Sequence, residues 1–202
     1  LHKNLGPEDD RSALVSVAKK ASTNMAETIS TMLFISRAQA EDLSIALSLI
    51  PLAEFLGDIR DAHSEYVTAR GQKVSIRCQS RLTVRSDARL LREILLNLLS
   101  NAVKYSPDGA KISLSAKRQG KYTRIDVADA GYGIPVHQQE KIFRKFFRGD
   151  NVIQKVTEGT GLGLYLVSLL VKTLHGTVTF TSVEGKGTTF TLLLPADSHD
   201  TV

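Results

Sequence analysis

The chain has 202 residues, of which 42% are hydrophobic and 23% charged, with a formal net charge of +5; that length holds one sizeable core, or one domain with a smaller helical attachment. No apolar run reaches the ~20 residues that cross a bilayer, and the opening LHKNLGPEDD lacks the apolar stretch of a secretion signal. Scattered Lys and Arg among seven Phe, five Tyr and no Trp argue against a nucleic-acid partner, while the single cysteine, Cys78, excludes an intrachain disulfide and a cysteine-rich zinc site.

Residues 12 to 36 contain neither Pro nor Gly and read as a helix. Leu14, Ala18, Ala21, Met25, Thr28, Met32 and Ile35 alternate steps of four and three, which is heptad spacing. The alternative is a helix packed on its own domain, and because the seam is short its periodicity favours an oligomer only weakly. DLSIALSLIP follows and is closed by Pro51, a residue suited to a helix start because its missing N–H is not needed there. The pattern predicts a helix to about Arg70 with Gly71 as its cap, then short strands at Lys73–Cys78 and Leu82–Arg85. Asp87 can cap a long helix that runs through Tyr105 to the SPDG turn.

After that turn the period becomes two. Ile112, Leu114 and Ala116 alternate with Ser113, Ser115 and Lys117, and Ile125 and Val127 continue on a second strand. Residues 129 to 160 read as a long loop with one short helix, followed by an apolar helix from about Leu162 to Leu174. Two closing strands carry Val178, Phe180 and Val183, then Phe190, Leu192 and Leu194; Leu193 breaks the alternation. Such strands need helices over one face, which predicts an α+β fold, a two-layer α/β sandwich.

Five segments carry chemistry. On the first, EILLNLLSNAVKYSP, Glu93, Asn97, Asn101 and Lys104 lie four, four and three residues apart and stripe one helical face. An amide oxygen is a hard ligand suited to Mg²⁺ and an ammonium meets phosphate as a point charge, although a solvated face is the usual fate of such a stripe and, for this helix taken alone, the leading reading. DAGYGIP ends a strand with Asp129, whose carboxylate can accept from an exocyclic amine, and its glycines let backbone approach a flat ring. KIFRKFFRGD offers Phe143, Phe146 and Phe147 as anchors of a lid and Arg144, Lys145 and Arg148 as charge. GTGLGL places three glycines before a helix N-terminus, where N–H groups gather on an anion. It matches neither the phosphate loop with its G-K-[ST] ending nor the dinucleotide fingerprint. GKGTTF reads by itself as a hairpin turn.

Taken in this order, the five segments resemble the N box, first glycine box, F box, second glycine box and third glycine box of two-component sensor histidine kinases. The resemblance covers roughly residues 42 to 195. Upstream, residues ending in FISRAQA resemble the second helix of that family's dimerisation and phosphotransfer hairpin. It divides the chain into a hairpin remnant at 1–40 and a catalytic domain at 41–202, with the Bergerat ATP-binding fold shared with DNA gyrase, ninety-kilodalton heat-shock chaperones and mismatch-repair ATPases. It implies ATP and Mg²⁺ as cofactors, with Asn101 a Mg²⁺ ligand and Asn97 beside it. Lys104 would contact phosphate, and Tyr105 would lie near adenine or ribose. Asp129 would hold the adenine amine, supported by Gly131, Gly133 and Ile134. Arg148 would reach the γ-phosphate, while Thr160, Gly161, Leu162 and Gly163 would line the phosphates. Thr189 would hold a water bridging to adenine, and Glu93 fills a position often occupied by an acid or amide.

In the hydrolysing relatives a glutamate four residues before the Mg²⁺ ligand activates water. Here that position is Asn97, which cannot serve as a base, so transfer to a protein nucleophile is implied. The family's acceptor lies on the first helix of the hairpin with an acidic residue after it, and none of His2, His63, His137, His175 and His199 has that setting. The acceptor is therefore expected upstream of Leu1, with a response-regulator receiver domain as the next partner, a homodimer through the hairpin, and membrane attachment only through segments outside this chain. The cytosol fits. A serine-directed kinase of the same fold and a nucleotide-dependent binding module without kinase activity remain open readings.

Overall fold

A computed structural model describes residues 7–40, 43–150 and 159–196; His2, His199 and the centre of the expected lid lie outside them. Helix α1 spans Pro7–Gln39. Strand β1 (Leu47–Pro51) pairs antiparallel with β3 (Thr83–Asp87) as a separate two-stranded sheet. Between them come α2 (Leu52–Asp61), α3 (Ser64–Ala69) and β2 (Lys73–Cys78). Then follow α4 (Ala88–Lys104), β4 (Lys111–Gln119), β5 (Tyr122–Asp129) and a 3-10 helix at Val136–Lys141. Helix α5 (Gly163–Thr173) and strands β6 (Thr177–Val183) and β7 (Gly187–Pro195) complete the chain.

The main sheet has the order β2-β4-β5-β7-β6, parallel between β2 and β4 and antiparallel elsewhere. Its alternation sends Ile112, Leu114, Ile125, Val127, Leu192 and Leu194 to one buried face. Helices α2, α4 and α5 cover that face. The predicted α+β sandwich is the fold observed.

Helix α4 forms where the apolar spacing predicts. Leu90, Leu91, Ile94, Leu95, Leu98, Leu99, Ala102 and Val103 are buried on one side, which leaves the polar stripe for the other. Asp87 caps it: Oδ1 accepts from the N–H groups of Arg89 (2.9 Å) and Leu90 (3.2 Å). Its Oδ2 accepts from Ala46 N–H at 2.8 Å and the Arg89 guanidinium at 3.0 Å. Burial pushes this carboxyl up, and the bonds from Ala46, Arg89 and Leu90 outweigh it, leaving it below the usual carboxylate range. Asp87→Ala therefore loses a helix cap and orphans the Ala46 amide; a cost of about 2–3 kcal/mol is expected in urea unfolding. Because the folded carboxyl titrates low, that contribution is present above the ordinary carboxylate range and is lost on acidification through the folded value.

One local expectation fails. The single helix to Arg70 is two helices, because Ser64 Oγ donates to Asp61 O at 2.7 Å and His63 N–H turns back to Arg60 O at 3.1 Å. Such local bonds compete with the helical ladder. Gly71 ends α3 as expected: it follows the cap Arg70 at φ +60°, its N–H donates to Thr68 O at 2.9 Å and the Gln72 N–H donates to Val67 O at 3.0 Å. The second short strand, expected at Leu82–Arg85, runs over Thr83–Asp87 and pairs with β1.

The seam on α1 ends in the core. Ile35 and Ala38 are buried against α5, whereas Leu14, Met25 and Met32 remain exposed. Across this contact Gln39 Nε2 donates to the Tyr165 hydroxyl at 3.1 Å, and the Lys145 ammonium lies 5.0 Å from the Tyr165 ring centre. No helix among the described residues is long and apolar enough to cross a membrane.

Candidate nucleotide-binding site

Two adjoining spaces, which share walls, lie beside the polar face of α4. The outer one is a cleft of about 1090 Å³ whose walls include Glu93, Asn97, Asn101, Lys104 and Tyr105 from α4 and Thr160, Gly161 and Gly163 from the glycine loop. Thr31 of α1 and His63 and Tyr66 of the α2–α3 segment border it on the far side. The inner pocket, about 90 Å³, is walled by Asp129, Gly133, Ile134, Arg148, Thr188 and Phe190 and shares Asn101 and Tyr105 with the cleft.

Asp129 sits where β5 ends, with both backbone bonds on one oxygen: Oδ1 accepts from Gly131 N–H at 2.8 Å and Thr188 N–H at 3.2 Å. Oδ2 is left for an amine donor. Burial raises the carboxyl to about 6, against the pull of the Gly131 and Thr188 amides. The turn after it demands glycine. A Cβ at Gly131 would strike the Tyr105 carbonyl oxygen, and one at Gly133 (φ +65°) would strike Val183 O. Tyr132 N–H donates to Tyr105 O at 2.9 Å, tying this turn to the end of α4. On its other side Ile134 N–H donates to Ser182 Oγ, which pairs with Thr188 Oγ1 at 2.8 Å.

At the outer end, Asn97 Nδ2 donates to Glu93 O (2.9 Å) and Glu93 Oε1 (3.0 Å). The amide is thereby oriented with Oδ1 toward the start of α5, where a Cβ on Gly163 would come within 2.7 Å of it. Glu93 thus positions Asn97. Helix α5 carries no side-chain cap at its N-terminus, the arrangement in which backbone N–H groups await an anion. Thr160 Oγ1 accepts from Leu162 N–H at 3.3 Å. Leu162 itself is buried in the core rather than on a wall. Gly161 (φ +70°) passes so close that a Cβ there would lie 2.6 Å from the Phe146 carbonyl carbon.

The expected lid residues divide. Phe143 packs edge-on against Phe180 and Phe190 at 6.0 and 6.4 Å, and Phe147 walls both spaces. Phe146 is 61% exposed. Buried Gln138 anchors the segment's end, its amide donating to Asp150 Oδ2 at 3.1 Å and accepting from Asp150 N–H at 3.2 Å. Arg148 is on the wall of the inner pocket, not on the cleft lining beside Lys104. Burial raises the Tyr105 phenol, while the charge and hydrogen bond of Arg148 pull it back.

Thr189 walls neither space; Thr188 occupies the expected place. Alternation decides this, since Phe190, Leu192 and Leu194 face the core and Thr188 shares their parity. Ile142 and Leu164 also wall both spaces, and sequence reading had given neither a role.

Among the described residues no three His, Cys, Asp or Glu side chains gather to hold a metal. The fit to Mg²⁺ rests instead on oxygen: Asn97 has its nitrogen committed to Glu93, and Asn101 stands where cleft and pocket meet. Amide and phosphate oxygens suit a hard cation that keeps several waters.

A family model described as "Histidine kinase-, DNA gyrase B-, and HSP90-like ATPase" matches residues 86–198. The chain belongs to that family, and within it to the catalytic ATP-binding domains of sensor histidine kinases. The sensor-like histidine kinase SenX3 of Mycobacterium tuberculosis is 33% identical over 197 residues, covering 95% of this chain and 48% of the relative. The chain thus spans about half the length of such relatives. Full-length ShkA, solved in complex with AMPPNP, superposes with a TM-score of 0.80 at 25% identity, covering 93% of this chain and 39% of that one. Histidine kinase ThkA, solved with the response regulator TrrA, shares the fold at a TM-score of 0.76 and 17% identity, covering 98% and 55%.

Gly163→Ala separates fold from site. Gly163 is the first residue of α5 and its backbone is not left-handed, and the only close contact of an added Cβ is the end of the Asn97 side chain, so the melting temperature should hold within a few degrees. The added methyl displaces Asn97, and a roughly tenfold or larger loss of Mg-nucleotide affinity is expected by calorimetry.

Proposed function

We propose that this chain binds Mg-ATP with adenine in the inner pocket and the triphosphate along the cleft, and donates the γ-phosphoryl to a histidine outside it. The observation that carries the reading is that the two spaces adjoin and share Asn101 and Tyr105 as walls. A carboxylate suited to an amine closes one end, and amides, an ammonium and an uncapped helix N-terminus line the other. Adenine fits the first set and polyphosphate the second. Mg²⁺ would be held by Asn101 with Asn97 beside it and would neutralise charge on the phosphates. Lys104 adds a cation on the cleft wall, and Arg148 holds Tyr105 at the inner pocket.

The same reading makes α1 the second helix of a dimerising hairpin, with residues 1–40 and 41–202 as the two functional parts. Its exposed Leu14, Met25 and Met32 support a second copy there. Relay would end on an Asp of a response regulator, as the ThkA–TrrA complex suggests by analogy. Membrane attachment, where present, would come from other segments of the full protein. Supplying a separate hairpin that carries the acceptor histidine, together with γ-labelled ATP, tests this. Acid-labile label on the hairpin and none on this chain is expected. Nucleotide binding without transfer would leave a binding module instead.

A further inference from the structure

We propose that Arg70 and Gln72 form a clamp on the last turn of α4 and act as positioning residues for Lys104. A helix C-terminus leaves carbonyls without intrahelical donors, and its partial negative charge favours a cation there. Here the donors come from the segment that follows α3. Arg70 Nη1 donates to Val103 O at 2.5 Å and Lys104 O at 3.4 Å, Nη2 to Ser106 O at 2.9 Å, and Nε to Asp108 Oδ1 at 2.9 Å. Gln72 Nε2 lies 3.1 Å from Val103 O, 3.3 Å from Ser106 O and 3.1 Å from Pro107 O.

The Gln72 side chain is only 5% exposed, and its Oε1 is buried with no partner. A buried amide that leaves its own acceptor unmade indicates how strongly the site selects for donors. Neither residue touches the cleft; both act through backbone. The clamp holds the carbonyls of Val103 and Lys104 at the helix end, so it fixes where the Lys104 side chain leaves the helix and enters the cleft. Arginine is needed because its rigid fork reaches several carbonyls at once, whereas lysine offers a single charged point.

This inference rests on the Mg-ATP reading, and the experiment separates the two. Mg-AMPPNP and adenosine are titrated into the whole chain and into Arg70→Lys at a temperature where both are folded. The clamp predicts about a tenfold rise in Kd for Mg-AMPPNP and an unchanged Kd for adenosine, which has no phosphate for Lys104 to meet. In a Lys104→Met background the Arg70→Lys penalty should disappear. Equal penalties on both ligands, an unchanged Kd for Mg-AMPPNP, or a penalty that persists without Lys104 would each overturn the proposal. Asp108→Ala, at a site whose side chain is 77% exposed, frees one arm of the guanidinium without disturbing the core and should shift Mg-AMPPNP in the same direction by less. A parent chain that binds no nucleotide defeats both readings, whereas binding unaffected by Arg70→Lys defeats only this one.

Discussion

Replacing Asn101 with alanine is expected to weaken Mg-ATP by roughly two orders of magnitude, the scale of a lost contact to charged groups in a desolvated site. Asn101 stands on the shared wall of cleft and pocket, so in the proposed reading its amide oxygen would meet the nucleotide where base gives way to phosphate. The fold should not suffer. Its backbone carbonyl, which takes Tyr105 N–H at 2.9 Å, survives the substitution, and alanine favours the helix. Metal removal supplies the control. Chelation should lower the affinity of the parent chain toward that of Asn101→Ala while changing the variant little, since a site without the ligand has little left to lose. A variant that still responds fully to chelation would move the Mg²⁺ ligand elsewhere.

Asp129→Asn carries the second large effect. Asn Oδ1 keeps the bonds from Gly131 and Thr188, so the turn remains intact. The other atom changes from acceptor to donor and opposes the adenine amine. Affinity should fall roughly a hundredfold, and the parent's preference for ATP over GTP should vanish with it.

The pH dependence follows from the same carboxyl. With a folded value of about 6, raised by burial, the acceptor is lost as pH falls below that value. Parent affinity should then weaken by up to about tenfold per pH unit, while Asp129→Asn stays flat. The stability term has the opposite sign. A carboxyl raised above its unfolded value penalises the folded state when ionised, fully so above pH 6, and the penalty is relieved on acidification toward the unfolded value. Asp129→Asn should therefore melt higher than the parent at pH 8, by circular dichroism, although it binds worse.

Much of this site could be read in the sequence because its parts are local. Asp87 and the apolar steps after it define α4, and that helix alone presents Glu93, Asn97, Asn101 and Lys104 together. The same holds for Asp129 with its glycines, where carboxylate and turn are adjacent in the chain. What needed tertiary contact was not legible. The Arg70 and Gln72 bonds to α4 cross more than 30 residues. The pairing of β1 with β3 depends on register between distant segments. The break between α2 and α3 turns on one serine hydroxyl competing with the ladder. Thr188 is a different case, since period-two alternation from Phe190 pointed to it and family resemblance drew attention to its neighbour. Arg148 shows the limit of a motif. Its position was found, but its link to Tyr105 follows from how the segment folds back on α4.

The most direct test is a calorimetric titration of AMPPNP with Mg²⁺ into the intact chain at pH 8, run beside Asp129→Asn. Saturable binding at a single site in the parent and a hundredfold weaker interaction in the variant is the predicted outcome. A folded parent that gives no binding heat at any temperature tried, or one whose affinity is indifferent to Asp129, would contradict the assignment of these walls to an adenine nucleotide.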